Sequence, residues 1–236
     1  MLGLKRLLRK GKEMLECVWL TGSDVFCPCC ETSFSNFAMG GVETKRRARC
    51  PKCGSLERHR AFARWLSDHP KQFHEGVHVL HLAPELHIAK ILSNRADFYV
   101  SGDLMPARGQ LKLDLTNLPF KEGSFDIVVA SHILEHIPDD AKAMQEIHRV
   151  LKPFGWACLT TPVKNEQEKT DEDFTVTDPN ERRRRFGQAD HVRWYGRDFY
   201  DRLAAAGLTV RREMFDDERI GCVKEEVLIC SKQPYG

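Results

Sequence analysis

Long apolar runs are missing from this chain of 236 residues. No uninterrupted stretch approaches the ~20 apolar residues that a bilayer-spanning helix requires, so no transmembrane segment is expected. The N-terminal stretch 1–20 carries Leu4, Leu7, Leu8 and Leu15, but Lys5, Arg6, Arg9 and Lys10 interrupt them. That excludes a secretory signal. It leaves a basic amphipathic helix, packed on its own domain or lying on a membrane surface. Net charge is also nearly absent. Thirty-six basic against 34 acidic residues give 36 − 34 = +2, which provides no bulk field to select nucleic acid. An even cysteine set is lacking too: there are nine, four of them in two Cys-x-x-Cys pairs. This pattern argues for thiols and a metal rather than a disulfide framework, and for a reducing, cytoplasmic compartment.

What is present centres on the stretch from Phe125 to Pro138. Phe125-Asp126-Ile127-Val128-Val129-Ala130 is short, β-branched and apolar, as a strand buried on both faces of a parallel sheet would be. Polar groups arrive only at its carboxyl end, as Ser131, His132, Glu135 and His136. Ligands in open α/β sheets bind beyond that end. Asp139 and Asp140 suit a helix N-terminus. Ala143, Met144, Ile147, Val150 and Leu151 then recur at helical spacing, until Pro153 and Gly155 end the helix. Trp156 to Thr161 reads as the next strand.

Leu118-Pro119-Phe120, Gly123-Ser124-Phe125-Asp126, Leu134-Glu135-His136-Ile137-Pro138 and Arg149-Val150-Leu151-Lys152-Pro153 together resemble a class I S-adenosylmethionine-dependent methyltransferase. The branch most similar acts mostly on small molecules, and the likeness covers roughly residues 77–162. It implies a Rossmann-like sheet of seven strands, the last antiparallel, and an S-adenosylmethionine pocket at the strand tips. Val77 to Ala83 is the first strand. There the family's acidic residue is replaced by His81, its first glycine by Ala83, and Pro84-Glu85 follow with no Gly-x-Gly. In one reading Pro84 opens the next helix and Glu85 faces the cofactor's ammonium. In the other the pocket has decayed. Asp103, with Leu104 beside it, ends the second strand 20 residues after Ala83. At that offset a carboxylate accepts from ribose hydroxyls in dinucleotide folds. The resemblance puts Asp114 and Leu115, at the end of a third strand from Leu111, against the adenine. It puts Ser131 and His132 beside the sulfonium.

Cys27-Pro28-Cys29-Cys30 and Cys50-Pro51-Lys52-Cys53 form the second signal. Two two-residue gaps separated by 19 residues fit a four-cysteine zinc site made by Cys27, Cys30, Cys50 and Cys53. Four thiolates would leave the metal no open position, so the role is structural. Lys45, Arg46, Arg47, Arg49, Lys52, Arg58, Arg60 and Arg64 surround the pairs. They offset thiolate charge or meet phosphates, and Phe34 and Phe37 form a small core or stack on bases. Ser55 to His69 reads as a linking helix, capped by Ser55.

His132-Ile133-Leu134-Glu135-His136 also fits the inverted metalloprotease signature His-x-x-Glu-His. That signature must lie inside a helix, and His132 directly follows a buried strand, so the context argues against it. Residues 163–190 are long, charged and aperiodic, with an arginine run at 182–185, and are expected as a lid insertion. His191 and Arg193 are candidate substrate contacts, and His132 or His191 is the candidate general base. Residues 197–206 read as a helix, followed by two closing strands at 208–215 and 226–231.

The expected architecture is therefore α/β, with two domains. Residues 1–75 hold a basic helix, a zinc ribbon and a linking helix, and 76–236 hold a Rossmann-like methyltransferase domain. The expected reaction is methyl transfer to an O or N nucleophile on a small-molecule or saccharide-like acceptor. An RNA methyltransferase docking RNA through the ribbon is the second reading. A non-catalytic binding module on a degenerate fold is the third. Oligomeric state is not legible.

Overall fold

The computed structural model describes residues 14–40 and 46–233. Most of the basic N-terminal stretch and Lys45 lie outside the described residues, while 14–19 is helical. The chain forms two compact units. One comprises the described residues of Met1–Phe73, with Glu85–Ile91 and Glu213–Val227; the other comprises His74–Pro84, Leu92–Arg212 and the described residues of Leu228–Gly236.

The first unit begins with two short antiparallel pairs. β1 (Thr21–Cys27) pairs with β2 (Thr32–Phe34), and β3 (Ala38–Gly40) with β4 (Arg46–Arg49). Such small ribbons bury little apolar surface, and the core here is Cys27, Phe34, Phe37 and Cys50. α1 (Glu57–Asp68) follows, starting later than its expected cap. The Ser55 hydroxyl instead lies 3.2 Å from the sulfurs of both Cys27 and Cys53. The Leu56 N–H donates to His59 Nδ1 at 3.0 Å, which satisfies one orphan donor of the first turn. Arg60 is fully buried. It donates to the carbonyls of Ile220, Ala48, Ser55 and Gly221, with its guanidinium 3.8 Å above the Phe37 ring. Gly221 sits at φ 63°, where a Cβ would come within 2.5 Å of that ring. Both facts require glycine there.

The sheet of seven strands is built from β5 (His78–Leu82), β6 (Phe98–Asp103), β7 (Leu111–Lys112), β8 (Phe125–Ala130), β9 (Leu151–Cys158), β12 (Thr209–Asp217) and β13 (Cys222–Ser231), with helix α2 (Leu86–Ser93) after β5. Its spatial order is β7-β6-β5-β8-β9-β13-β12. β6, β7, β8 and β9 pair in parallel around β5, and β13 runs antiparallel to β9. This is the expected Rossmann-like sheet with its reversed closing strand. The inner strands are apolar on both faces because both are covered, and Leu80, Val128, Ala157 and Leu228 lie in one core.

Two boundaries differ from the expectation. β9 begins at Leu151, directly after α3 (Asp140–Val150), rather than at Trp156. Pro153 and Gly155 therefore lie within the strand, beside an irregular register between Phe125 and Ile127. A Cβ at Gly155 would stand 2.9 Å from the Asp126 carbonyl oxygen, so the close approach depends on glycine. β7 stops after two residues, because Asp114 turns the chain by accepting from the Thr116 N–H at 2.8 Å.

The sequence segments of the resemblance are joined by side chains. Arg149 grips Glu146 with Nε and Nη2, each at 2.7 Å, and donates to the carbonyls of Phe120 and Leu118. Asp126 accepts from Lys152 at 2.7 Å and from the His78 N–H at 2.8 Å. Residues 163–190 are not one irregular loop. β10 (Asp171–Glu172) pairs with β11 (Arg193–Trp194), and α4 (Pro179–Phe186) carries the arginine run. Arg185 bonds Asp171 and Asp173, Arg184 bonds Glu181, and Arg182 bonds the Val176 carbonyl, so these arginines serve the segment itself. α5 (Phe199–Ala205) leads into the closing strands.

Candidate active site and metal centre

β6 and β8 flank β5, and the crossovers leave β5 in opposite directions. This creates a topological switch point at the carboxyl ends of β5 and β8, where α/β folds place ligands. Both strands end on a left-handed residue: Ala83 at φ 43° and His132 at φ 54°. Ala83 therefore holds the backbone shape that a glycine would favour, and its N–H donates to the Gly102 carbonyl at 2.8 Å. The His132 N–H donates to the Thr160 carbonyl at 2.8 Å, fixing the corner after β8. Strained residues at two neighbouring strand ends are typical of ligand sites.

The other expected cofactor contacts are distributed as follows. Asp103 ends β6 and Asp114 follows β7, on adjacent parallel strands. Each is anchored by one oxygen. Asp103 Oδ1 accepts from the Met105 N–H at 2.7 Å, and Asp114 Oδ1 accepts from the N–H and hydroxyl of Thr116. In both, no hydrogen bond to Oδ2 is made among the described residues. Leu104 is exposed and Leu115 is buried in the core. Ser131 is half-buried at the end of β8. His81 is fully buried within β5, with Nδ1 3.0 Å from the Tyr99 hydroxyl on β6.

Beyond His132 the chain forms a tight turn around Glu135, which is 1% exposed. The Thr161 hydroxyl donates to Glu135 Oε2 at 2.9 Å, and His132 Nδ1 lies 3.3 Å from Oε1. Burial opposes ionisation of Glu135, but the bond and charge of His132 outweigh it and hold the carboxyl below its ordinary range. His191 is brought in from 56 residues away, its Nε2 4.0 Å from Glu135 Oε1, and the Val192 N–H donates to the Glu135 carbonyl at 3.0 Å. Burial pushes His191 below the ordinary histidine range. The His136 ring meets that of His191 edge-on, with centroids 4.7 Å apart.

Arg193, expected at the substrate, has a different task. It is buried, and it donates to the carbonyls of Leu134, Ile137 and Pro138 and to Glu172. Tyr195 donates to Asp140 Oδ2 at 2.8 Å; burial raises its phenol well above the ordinary value, which keeps it a donor. The sequence signal for Glu135 was its place between two histidines. Nothing local marked Thr161, Tyr195 or the return of His191.

In the first unit, Cys27, Cys30, Cys50 and Cys53 converge, with their four sulfurs all within 4.8 Å of one another. The Cys27–Cys53 and Cys30–Cys50 sulfur pairs are each 3.7 Å apart. A tetrahedron with metal–sulfur bonds of about 2.3 Å has edges of about 3.8 Å, so the donor set and its geometry fit a metal ion. The Cys53 N–H points to Cys50 Sγ at 3.5 Å. Cys29 is not one of the four, and its thiol donates to the His59 carbonyl at 3.4 Å. Glu85 belongs to this unit. Its carboxylate lies 3.2 Å from His59 Nε2 and 4.0 Å from Arg58 Nε. His87 Nε2 is 2.9 Å from His59 Nδ1, and burial, then the charge of His59, pushes His87 down to about 4. Phe34 and Phe37 are buried, and Arg46, Arg49 and Arg64 pair with Glu57, Glu16 and Asp68.

Residues 62–159 match the family described as Methyltransferase domain. That stretch is similar to a methyltransferase domain of the S-adenosylmethionine-dependent kind. Among curated relatives, demethylmenaquinone methyltransferase of Staphylococcus epidermidis is 49% identical over 49 residues, 20% of this chain and 20% of that protein. The 2-phytyl-1,4-naphtoquinone methyltransferase of Nostoc punctiforme is 40% identical over 54 residues, 23% of this chain and 24% of the other. The chain thus matches about a quarter or less of these relatives' length. A solved S-adenosylmethionine-dependent methyltransferase from Archaeoglobus fulgidus shares the methyltransferase fold, with a TM-score of 0.51 at 14% identity, over 76% of this chain and 95% of that one. No helix among the described residues is long and apolar enough to cross a membrane.

Proposed function

We propose that the protein transfers a methyl group from S-adenosylmethionine to an O or N nucleophile of a small-molecule acceptor. The carrying observation is the pair of carboxylates, Asp103 and Asp114, anchored at adjacent strand tips beside the switch point. Asp103 would accept from the ribose hydroxyls and Asp114 from the adenine amine, with Leu104 and Leu115 against the base. Ala83, His81 and Ser131 would shape the remaining wall. Glu85 stands aside from this reading because its carboxylate already faces His59. S-adenosylmethionine supplies an electrophilic methyl on its sulfonium when bound. The chain's share is alignment and proton removal.

His132 is the better placed base. Its side chain is 25% exposed against 5% for His191, so an acceptor can reach it, and Glu135 behind Nδ1 fixes the ring. The names of the curated relatives point to quinone-type acceptors, which supports a small molecule over a macromolecule. The burial of Phe34 and Phe37 and the ion pairs of Arg46, Arg49 and Arg64 count against a stacking surface for RNA. In the same reading Cys27, Cys30, Cys50 and Cys53 hold a structural Zn²⁺ with no open position.

Calorimetric titration with S-adenosylmethionine tests the assignment. Binding should weaken about tenfold or more in D103A and in D114A, the loss expected when a charge-assisted hydrogen bond of about 1.5–3 kcal/mol is removed. Absence of heat at millimolar cofactor would refute it.

A further inference from the structure

We propose that Glu135, His136 and His191 form a second metal site, selective for a divalent transition ion and separate from the four-cysteine set. One ligand atom from each lies within 4.8 Å of the others. The stronger argument is which atoms face inward. His191 Nδ1 is 2.9 Å from the Phe186 carbonyl. A carbonyl only accepts, so Nδ1 carries the proton and Nε2 of the neutral ring is a bare lone pair. That lone pair is buried and faces Glu135 Oε1, a carboxylate oxygen, across 4.0 Å. Among the described residues His191 Nε2 has no hydrogen-bond partner, and Glu135 Oε1 has beyond this only the ion-pair contact with His132 Nδ1 at 3.3 Å. Two buried acceptors facing each other are costly unless a cation lies between them.

His136 Nδ1 is 3.3 Å from the Asp190 carbonyl, to which it donates, so Nε2 is the atom its neutral ring offers to an ion. Imidazoles that bind metals usually donate their other N–H to a carbonyl or carboxylate, which fixes the tautomer. Glu135 Oε2 is held in turn by the Thr161 hydroxyl at 2.9 Å, as ligating carboxylates are. Two imidazoles and one carboxylate suit Zn²⁺, Mn²⁺ or Fe²⁺ and leave a coordination position open, unlike four thiolates. The set differs from the His-x-x-Glu-His signature. His132 turns Nδ1 toward Glu135, and the second imidazole comes from His191. The site would lie directly after β8, and water or an acceptor oxygen could take the open position. Binding of the ion does not depend on the methyl-transfer reading.

The test uses the full chain with zinc already loaded on the cysteines. Mn²⁺ and Zn²⁺ are titrated by calorimetry, and histidine ring signals are followed by nitrogen NMR. One further equivalent should bind, shifting two imidazoles. H136A, a partly exposed position, should weaken binding about tenfold or more, and H191A likewise. Uptake that is equal in the wild type and H136A, or no ion beyond the one on the cysteines, overturns the proposal. Ring shifts that appear on acidification but not on adding either ion also overturn it, because a shared proton then replaces the metal.

Discussion

Removing Arg193 should destabilise the candidate active site severely without touching any proposed ligand atom. The side chain is 1% exposed, and it ties the turn from Leu134 to Pro138 by bonds to three of its carbonyls. Its Nε also donates to Glu172 Oε2 at 2.9 Å. Breaking a buried pair on one side costs about 3–5 kcal/mol, because the partner stays buried and uncompensated. Here Arg202 still reaches Glu172 at 2.8 Å and Asp140 at 3.1 Å, so the lower end applies. R193A should therefore cost about 3 kcal/mol, roughly two powers of ten in the folding constant. R193K should recover little, since an ammonium cannot reproduce the planar fork that spans the three carbonyls. The assay is urea denaturation, together with hydrogen exchange at the amides of His136 and Val192, which close this turn onto Ile133 and Glu135. Arg184, on the exposed face of α4, is the control, and R184A should leave both readouts unchanged. If R193A costs less than about 1 kcal/mol, in the range of exposed pairs, the clamp is not structural and the reasoning fails.

Three more outcomes follow from the geometry. Arg149, with the Leu118 N–H, holds the Glu146 carboxyl below its ordinary 4.5; the unfolded chain therefore binds more protons between that value and the lower folded one, and stability falls as pH drops through this window. E146Q should flatten the acid side of a urea-midpoint profile taken from about pH 6 to about pH 3, and an unchanged slope would remove Glu146 from the account. A83G should stabilise by about 0.5 kcal/mol, the relief of a left-handed alanine (about 1–2 kcal/mol) less the added chain freedom of glycine (about 0.4–1 kcal/mol); a loss in thermal unfolding would mean that φ 43° is not strained. C50S should lose the ion of the four-cysteine set by elemental analysis and loosen the ribbon's amides to exchange, whereas C29S, at a sulfur turned toward the His59 carbonyl, should keep it.

What the sequence revealed and what it concealed divide by range of contact. β5, β8 and α3 were readable because their signal is a local period, set by which faces meet the core. The cysteine pairs were readable because each turn aims its own two thiols. The start of β9 was misplaced because Pro153 and Gly155, ordinary stop signals, lie in an irregular strand pairing that tolerates them. The clamp of Arg193 on the turn and the joining of His191 to Glu135 were hidden, since groups meeting across 55 or more residues leave no period. Arg60 is the extreme case. In sequence it was one of eight cations around the thiolates; in the fold it is a buried strut to carbonyls 160 residues further on. Asp103 was proposed from its offset after Ala83 and Asp114 from the family resemblance, and in the fold one oxygen of each accepts from a backbone N–H two residues on.

That strut has a consequence for biosynthesis. The cysteine segment leaves the ribosome early, but the carbonyls of Ile220 and Gly221 that receive Arg60 emerge 160 and 161 residues later. At about 5–20 residues per second this is a wait of roughly ten to thirty seconds. During it a permanent cation and the Phe37 ring lack the backbone that covers them, and the ribbon can close over them only after those two carbonyls have emerged.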